Sequence, residues 1–381
     1  MLSIVQAQTN HDTATPQQEV ACVAALRGVH SAFAWVQGNE RQIAEGQLEF
    51  VRIPAPPFGE QARSEWLQQR FRSLGLEDVH IDSVGNVFGV RPGANRDAKF
   101  VALCAHIDTV FPAGTPLDVR RDGERLHGPG ISDNGAGVSG MLALIAAMRA
   151  GEIKTAAPVV FIGNVGEEGE GDLRGMRHIF ADPQWKDAIQ YTVLLDGANA
   201  DTIVTQALGS RRFEVTVRGP GGHSWSDFGT PNPIVLLARA IDAFSRVAVP
   251  TNPKTTFNVG IISGGTSVNS IPESASMRVD IRSSSMDEID RLERALRQAL
   301  EKATHAVAAK NGDNRTALSS AHASGDGGAR EATGVAYDMK LIGSRPAAEL
   351  TEGARILQVV QAVDELLQNP SKLQRASTDA N

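Results

Sequence analysis

The sequence predicts an α/β chain, a sheet covered by helices together with a smaller α+β domain. Three observations carry this. The runs "FVALCA" (100–105), "PVVFIG" (158–163) and "YTVLLD" (191–196) are apolar on consecutive residues, as in strands buried on both faces. Between the first two, "GVSGMLALIAAMRA" (137–150) has the length and spacing of a helix. From residue 209 the pattern changes to alternating strands and amphipathic helices.

In chain order, residues 1 to about 18 are polar and expected to fray. "EVACVAALRGVHSAFAWV" (19–36) reads as one helix and "SEWLQQRFRSLGL" (64–76) as another. The α/β core follows. Then come "RRFEVTVRG" (211–219) as a strand, "NPIVLLARAIDAF" (232–244) as a helix, and "TTFNVGIISGG" and "ASMRVDIRS" as strands. A long helix starts after Ser285, a suitable N-cap with Asp287 and Glu288 in the first turn. The Gly/Ala/Ser-rich stretch 322–334 reads as a flexible loop before the strand "YDMKLIG". One domain is expected over 19–208 plus 346–381, the other over 209–345.

With 381 residues, 41% hydrophobic and 5% aromatic, the chain can bury two cores. No uninterrupted apolar run approaches the roughly 20 residues of a membrane helix. Its 37 basic and 44 acidic residues give a net charge of −7 with no Lys/Arg block, against nucleic-acid binding. Only Cys22 and Cys104 are present, so no disulfide framework is expected. The first residues lack a basic and apolar leader pattern, and a cytoplasmic location is expected.

Chemistry-bearing residues gather just beyond the strand ends, where open α/β sheets place ligands. His106 and Asp108 end the first strand, Glu167 and Glu168 follow the second, and Asp196 ends the third. Asp133 sits in a glycine-rich turn between them. One imidazole among carboxylates is a donor set for Zn²⁺, Mn²⁺ or Co²⁺; a solvated polar loop edge is the competing reading.

"HIDTV" (106–110), "GPGISDNGAG" (128–137), "GEEGEG" (166–171), "LLDGA" (194–198), "GPGGHS" (219–224) and "NVGIISGGTSVNSIP" (258–272) together resemble the motifs of M20-type metallopeptidases. That is the family of carboxypeptidase G, acetylornithine deacetylase, desuccinylases and tripeptide aminopeptidases. The resemblance implies an α/β, mixed-sheet, zinc-peptidase-like catalytic domain with an inserted smaller α+β, ferredoxin-like lid and dimerisation domain. It also implies hydrolysis of amide bonds in small peptides or N-acyl amino acids, with two divalent metal ions and a homodimer. His106, Asp133, Glu168 and Asp196 match metal ligands, with Asp133 bridging. Asp108 would orient the His106 imidazole, Glu167 would be the general base, and His223 would polarise the scissile carbonyl. Asn269 and Arg282 match substrate-binding positions, although an arginine on a strand can equally be a solvated one. The motif style around His223 leans towards di- or tripeptides. The strand "RRFEVTVRG" is expected at a sheet edge, where it could pair with a symmetry mate.

One departure bears on the metal count. The family places a further ligand histidine beyond a "STDAN"-like stretch, matched here by Asp379 and Asn381, and no histidine follows His322. The expectation is one tightly held metal rather than two, exposed apolar sheet edges, and a C-terminal truncation or a ligand recruited from elsewhere, His127 first. A catalytically impaired relative acting as a binding module is the alternative reading. His11, His30, His80, His127, His178, His305 and His322 are expected to be bystanders, His127 being the one to test first if a substitute ligand is needed.

Overall fold

The computed structural model describes residues 14–197, 202–311 and 334–374. His11, His322, Asp379, Asn381 and residues 322–333 of the Gly-rich stretch lie outside the described residues. The chain forms two compact units, Met1–Ile203 with Leu350–Gln374, and Val204–Glu349.

The first unit opens with helices α1 (Pro16–Ala24), α2 (Arg27–Gly38), α3 (Glu40–Val51) and α4 (Gln61–Ser73). The helix expected over 19–36 is therefore broken. Leu26 is extended and the two halves bend by 69°. The cause is tertiary: a Cβ at Gly28 would lie 2.6 Å from the Gly151 carbonyl oxygen, so α2 follows the close crossing rather than its own periodicity.

Strands β1 (Glu77–Ile81), β2 (Val87–Arg91) and β3 (Phe100–His106) come next, then a small hairpin of β4 (Arg120–Asp122) and β5 (Arg125–His127). Helix α5 (Gly137–Ala150), β6 (Val159–Asn164), α6 (Arg174–Ala181), α7 (Pro183–Ala188) and β7 (Ile189–Leu194) complete the core. The five-stranded sheet runs β1-β2-β6-β3-β7; β6, β3 and β7 are parallel and β1 and β2 antiparallel, so it is mixed. The interior strand β3 is buried on both faces. Leu103 and Ala105 pack with Leu67, Phe71, Met141 and Ile145, while Ala102 and Cys104 pack with Phe88, Ile162 and Ile179. Full burial of each leucine, isoleucine, methionine or phenylalanine among them contributes about 1.5–3 kcal/mol.

By length and composition Ile131–Ala150 could cross a bilayer, contrary to the sequence expectation, with a mean hydropathy of 1.2. Half of that window is buried inside the protein, and Val138, Met141 and Ile145 join the core.

The second unit has β9 (Gln206–Ala207), β10 (Gly209–Arg218), β11 (Gly222–His223), α8 (Pro233–Ser245), β12 (Thr255–Gly264), β13 (Ser270–Ile271), β14 (Ser274–Ser283), α9 (Met286–Asn311), β15 (Ala336–Arg345) and β16 (Ala348–Glu349). Its antiparallel sheet is ordered β12-β14-β10-β15. With one helix after β10 and one after β14, this is the ferredoxin-like arrangement. Val215 and Val217 of β10 and Met277, Val279 and Ile281 of β14 face Leu236 and Leu237 of α8 and Leu292 and Leu296 of α9. The alternate positions carry ion pairs, Glu214 with Arg278 and Arg212 with Asp280.

The position expected for "RRFEVTVRG" is corrected here: β10 is an interior strand, paired on both sides. Its alternation reflects one helix-covered and one solvated face, which an interior strand shows as readily as an edge. The edges are β12 and β15. The chain then returns to the first unit with α10 (Arg355–Leu367) and β17 (Lys372–Gln374), the latter pairing with β8 (Thr202–Val204).

Candidate metal centre

Because β6, β3 and β7 run parallel, their carboxyl ends share one sheet edge. His106 is the last residue of β3 and lies opposite Asn164. Two backbone bonds extend the pairing past the strands, Ile107 N–H to the Asn164 carbonyl and Leu195 N–H to the Cys104 carbonyl, each 2.8 Å. Asp108, Glu167, Glu168 and Asp196 are thereby delivered to the same edge.

Asp133 arrives from the turn before α5, joined to Asn134 by a cis peptide bond. Asn134, which is buried, fixes that turn. Its Nδ2 donates to the Leu195 carbonyl at 2.8 Å and its Oδ1 accepts the Gly137 N–H at 3.1 Å. A Cβ at Gly137 would stand 2.2 Å from Asn134 Oδ1, so only glycine fits.

The His106 imidazole, 3% exposed, is the hub. Its Nε2 lies 2.9 Å from Asp133 Oδ1 and 3.4 Å from Asp196 Oδ1, and its Nδ1 lies 3.4 Å from Asp108 Oδ1. Ligand-type atoms of His106, Asp133 and Asp196 fall within 4.8 Å of one another, as do those of His106, Glu167 and Glu168. Asp108 has no exposed surface; its two oxygens accept the N–H groups of Glu167 at 3.0 Å and Glu168 at 2.8 Å.

Burial alone would lower the His106 pKa, but the carboxylates of Asp108, Asp133 and Asp196 outweigh it and hold it well above its ordinary value. Burial would likewise raise Asp108, yet His106 and the two amides bring it below the usual range. Burial, then the charge of Asp133, pushes Glu168 up to about 7.

Three supports carried no recognisable sequence signal. Arg63 is buried on α4 and donates from Nη1 to the Ile107 carbonyl at 2.8 Å. Arg174 makes a two-pronged pair with buried Glu60, 2.7 Å on each side, and its N–H holds the Gly166 carbonyl at 3.2 Å just before Glu167. Asn134 read only as a turn residue. Of the bystander histidines, His127 is exposed on β5, His80 stacks on Phe88, His305 bonds the Glu301 carbonyl and His178 approaches Ser83. Neither they nor His30 belong to a metal-binding group among the described residues.

In the second unit, β11 pairs with β13, and Ser224 N–H donates to the Asn269 carbonyl at 3.0 Å, so His223 and Asn269 sit together. His223 Nδ1 accepts the N–H of Trp225 at 3.2 Å. An acceptor at Nδ1 puts the ring proton on Nε2, leaving that nitrogen as a donor. Arg282 is half-buried on β14 with its Nε 2.7 Å from Asp280 Oδ2, a carboxylate shared with Arg212.

Residues 86–216 match the model described as peptidase family M28, and residues 205–308 match the peptidase dimerisation domain of M20 proteins. Among solved structures, aminopeptidase PepT of Bacillus cereus aligns with a TM-score of 0.68 at 19% identity, covering 90% of this chain and 87% of that one. The YXEP protein of Bacillus subtilis, described as a dinuclear metal binding peptidase from the M20 family, aligns at 0.60 and 14% identity, covering 90% and 83%. The chain is thus similar to M20 peptidases, with the M20 dimerisation domain matched at residues 205–308. A relative by sequence is a probable carboxypeptidase of Aspergillus clavatus, 28% identical over 241 residues, which are 58% of this chain and 52% of that protein. The chain spans about half the length of the curated relatives it matches.

The site suits a divalent cation on its own chemistry. One imidazole and four carboxylates crowd together with like charges opposed, and the buried Thr109 Oγ1 and Asn164 Oδ1 beside them have no hydrogen-bond partner among the described residues. A cation of the Zn²⁺, Mn²⁺ or Co²⁺ class removes that repulsion and takes this mixed nitrogen and oxygen set.

Proposed function

We propose that this chain is a metal-dependent hydrolase of the M20 type, acting on amide bonds in small peptides or N-acyl amino acids, with di- and tripeptides the preferred class. The observation that carries it is the convergence of Asp133, Asp196, Glu167 and Glu168 on His106 at the carboxyl edge of three parallel strands. His106, Asp133 and Asp196 are the proposed ligands of one metal, with Asp133 and Glu168 serving a second.

A bound cation supplies Lewis acidity, making water acidic near neutral pH and polarising a carbonyl. Glu167 takes the proton of the attacking water on a carboxylate oxygen and delivers it to the leaving nitrogen. Its buried position keeps bulk water from competing for that proton. Asp108 holds the loop carrying Glu167 and steadies the His106 ring. His223, a donor at Nε2, polarises the scissile carbonyl; Asn269 takes a substrate carbonyl and Arg282 a carboxylate.

The match to a dimerisation domain supports a homodimer. The proposed contact is the open edge of β12, where Ile261 and Ile262 are more than half exposed. Free Cys22 and buried Cys104 suit a reducing compartment such as the cytoplasm.

The deciding experiment measures metal content of the purified chain together with hydrolysis of a dipeptide, tripeptide and N-acyl amino acid panel. Turnover lost to a chelator and restored by Zn²⁺, Mn²⁺ or Co²⁺ is expected. A chain that binds metal yet cleaves nothing on the panel would refute the hydrolase.

A further inference from the structure

Among the described residues Arg63 is the largest fully buried side chain, 1% exposed, and no carboxylate there forms an ion pair with it. Its donors go to backbone carbonyls: Nε to Ile53 at 2.8 Å, Nη1 to Ile107 at 2.8 Å and Nη2 to Val51 at 3.5 Å. The guanidinium lies 4.4 Å from the centre of the Phe50 ring. Burial pulls its pKa down to about 10, against which Asp108 acts as the opposing charge, so it is cationic at neutral pH. Withdrawing a cation from water is costly, and packing alone would be served by leucine or methionine.

The residue after Ile107 is Asp108, which fastens Glu167 and Glu168. A carbonyl clamped at Ile107 sets the direction in which Asp108 leaves the strand end. We propose that Arg63 is a positioning residue of the metal centre, locking the Ile107 carbonyl and supplying the buried countercharge behind Asp108, so that the Glu167–Glu168 loop is held in register with His106. This rests on reading the cluster as a metal centre.

The test compares Arg63→Met, Arg63→Lys and the packing control Leu67→Ala, a buried residue one turn along α4. Co²⁺ affinity and the visible Co²⁺ spectrum are read by titration, stability of the metal-free chain by urea unfolding. The backbone N–H shifts of Glu167 and Glu168 are read in metal-free chain labelled with ¹⁵N-glutamate. Arg63→Met is expected to weaken Co²⁺ binding about 10–100-fold, the usual effect of removing a ligand's supporting partner, and to shift both amides. Arg63→Lys keeps the charge and should recover most of the affinity. Leu67→Ala should lose stability but bind Co²⁺ like the parent and leave the amides in place.

Unchanged Co²⁺ binding and amide shifts in Arg63→Met overturn the proposal. So does Arg63→Lys behaving no better than Arg63→Met, or neither variant folding in the cold, which would assign Arg63 to the scaffold. A parent chain that binds no Co²⁺ refutes the metal reading instead, and the amide shifts then decide the positioning role by themselves.

Discussion

Asp108 accepts the backbone N–H of Glu168 at 2.8 Å while its other oxygen takes that of Glu167. One carboxylate at the end of β3 thus ties down the whole loop after β6, and faces His106 at 3.4 Å as well. An Asp108→Asn variant keeps the shape but turns one acceptor into a donor that opposes an N–H. Metal affinity or hydrolysis should fall about 10–100-fold, as for other partners that orient ligands. Titration of the metal-free variant against Co²⁺ checks it, with circular dichroism showing the fold intact; parent-like affinity and turnover would remove Asp108 from the site.

Glu167→Gln separates base from ligand. The amide cannot take the water's proton, so turnover should drop about 10²–10⁴-fold, while His106, Asp133, Asp196 and Glu168 still hold metal. Steady-state rates beside elemental analysis give the answer. Near-parent turnover would assign the proton transfer to another group.

These expectations were partly legible in the sequence, and the reason differs by residue. Consecutive apolar residues in "FVALCA" and "PVVFIG" announce strands buried on both faces, and polar residues directly after them can only lie at the strand ends. His106, Glu167 and Asp196 were therefore readable. Arg63 was not, because an arginine on an amphipathic helix normally points to water and nothing local marks its burial. The break at Leu26 was hidden for a related reason: apolar spacing continues across it, and the crossing of Gly28 on Gly151 is a contact between residues far apart in sequence. Strand order escaped too, since "RRFEVTVRG" alternates identically whether β10 lies inside or at the edge of its sheet.

The Glu60–Arg174 pair predicts a stability effect. Arg174→Met leaves the buried Glu60 carboxylate without its two 2.7 Å donors. Breaking a buried pair on one side costs about 3–5 kcal/mol, and the lower end applies because the Arg174 side chain is 22% exposed. Urea unfolding should show the midpoint lowered at unchanged slope, and Glu60→Leu in the same chain should recover part of the loss by removing the stranded charge. No change in midpoint would mean the pair is solvated.

The edge of β12 predicts the mode of assembly. Ile261 of β12 pairs with Arg278 of β14 on one side, and among the described residues β12 has no partner strand on the other. Ile261→Lys puts a charge on that edge, the device by which edge strands avoid pairing. Light scattering at micromolar concentration should report a dimer for the parent and a monomer for the variant, with metal content unchanged. A dimer that survives the lysine would move the interface elsewhere.

His106 belongs to both ligand groups, with Asp133 and Asp196 in one and Glu167 and Glu168 in the other. The two groups can thus be told apart by what each substitution spares. Asp196→Asn weakens only the first, so a metal held by Glu168 and Asp133 could persist at reduced affinity. His106→Ala deletes the nitrogen donor that both groups share and leaves their four carboxylates, Asp133, Asp196, Glu167 and Glu168, facing one another. Retention of tight Co²⁺ should be lost altogether in His106→Ala, and lost only in part in Asp196→Asn. Elemental analysis after dialysis measures this directly. Equal losses in the two variants would mean a single ion held jointly, whereas full retention in His106→Ala would show that the carboxylates alone bind the metal and that His106 serves only to space them.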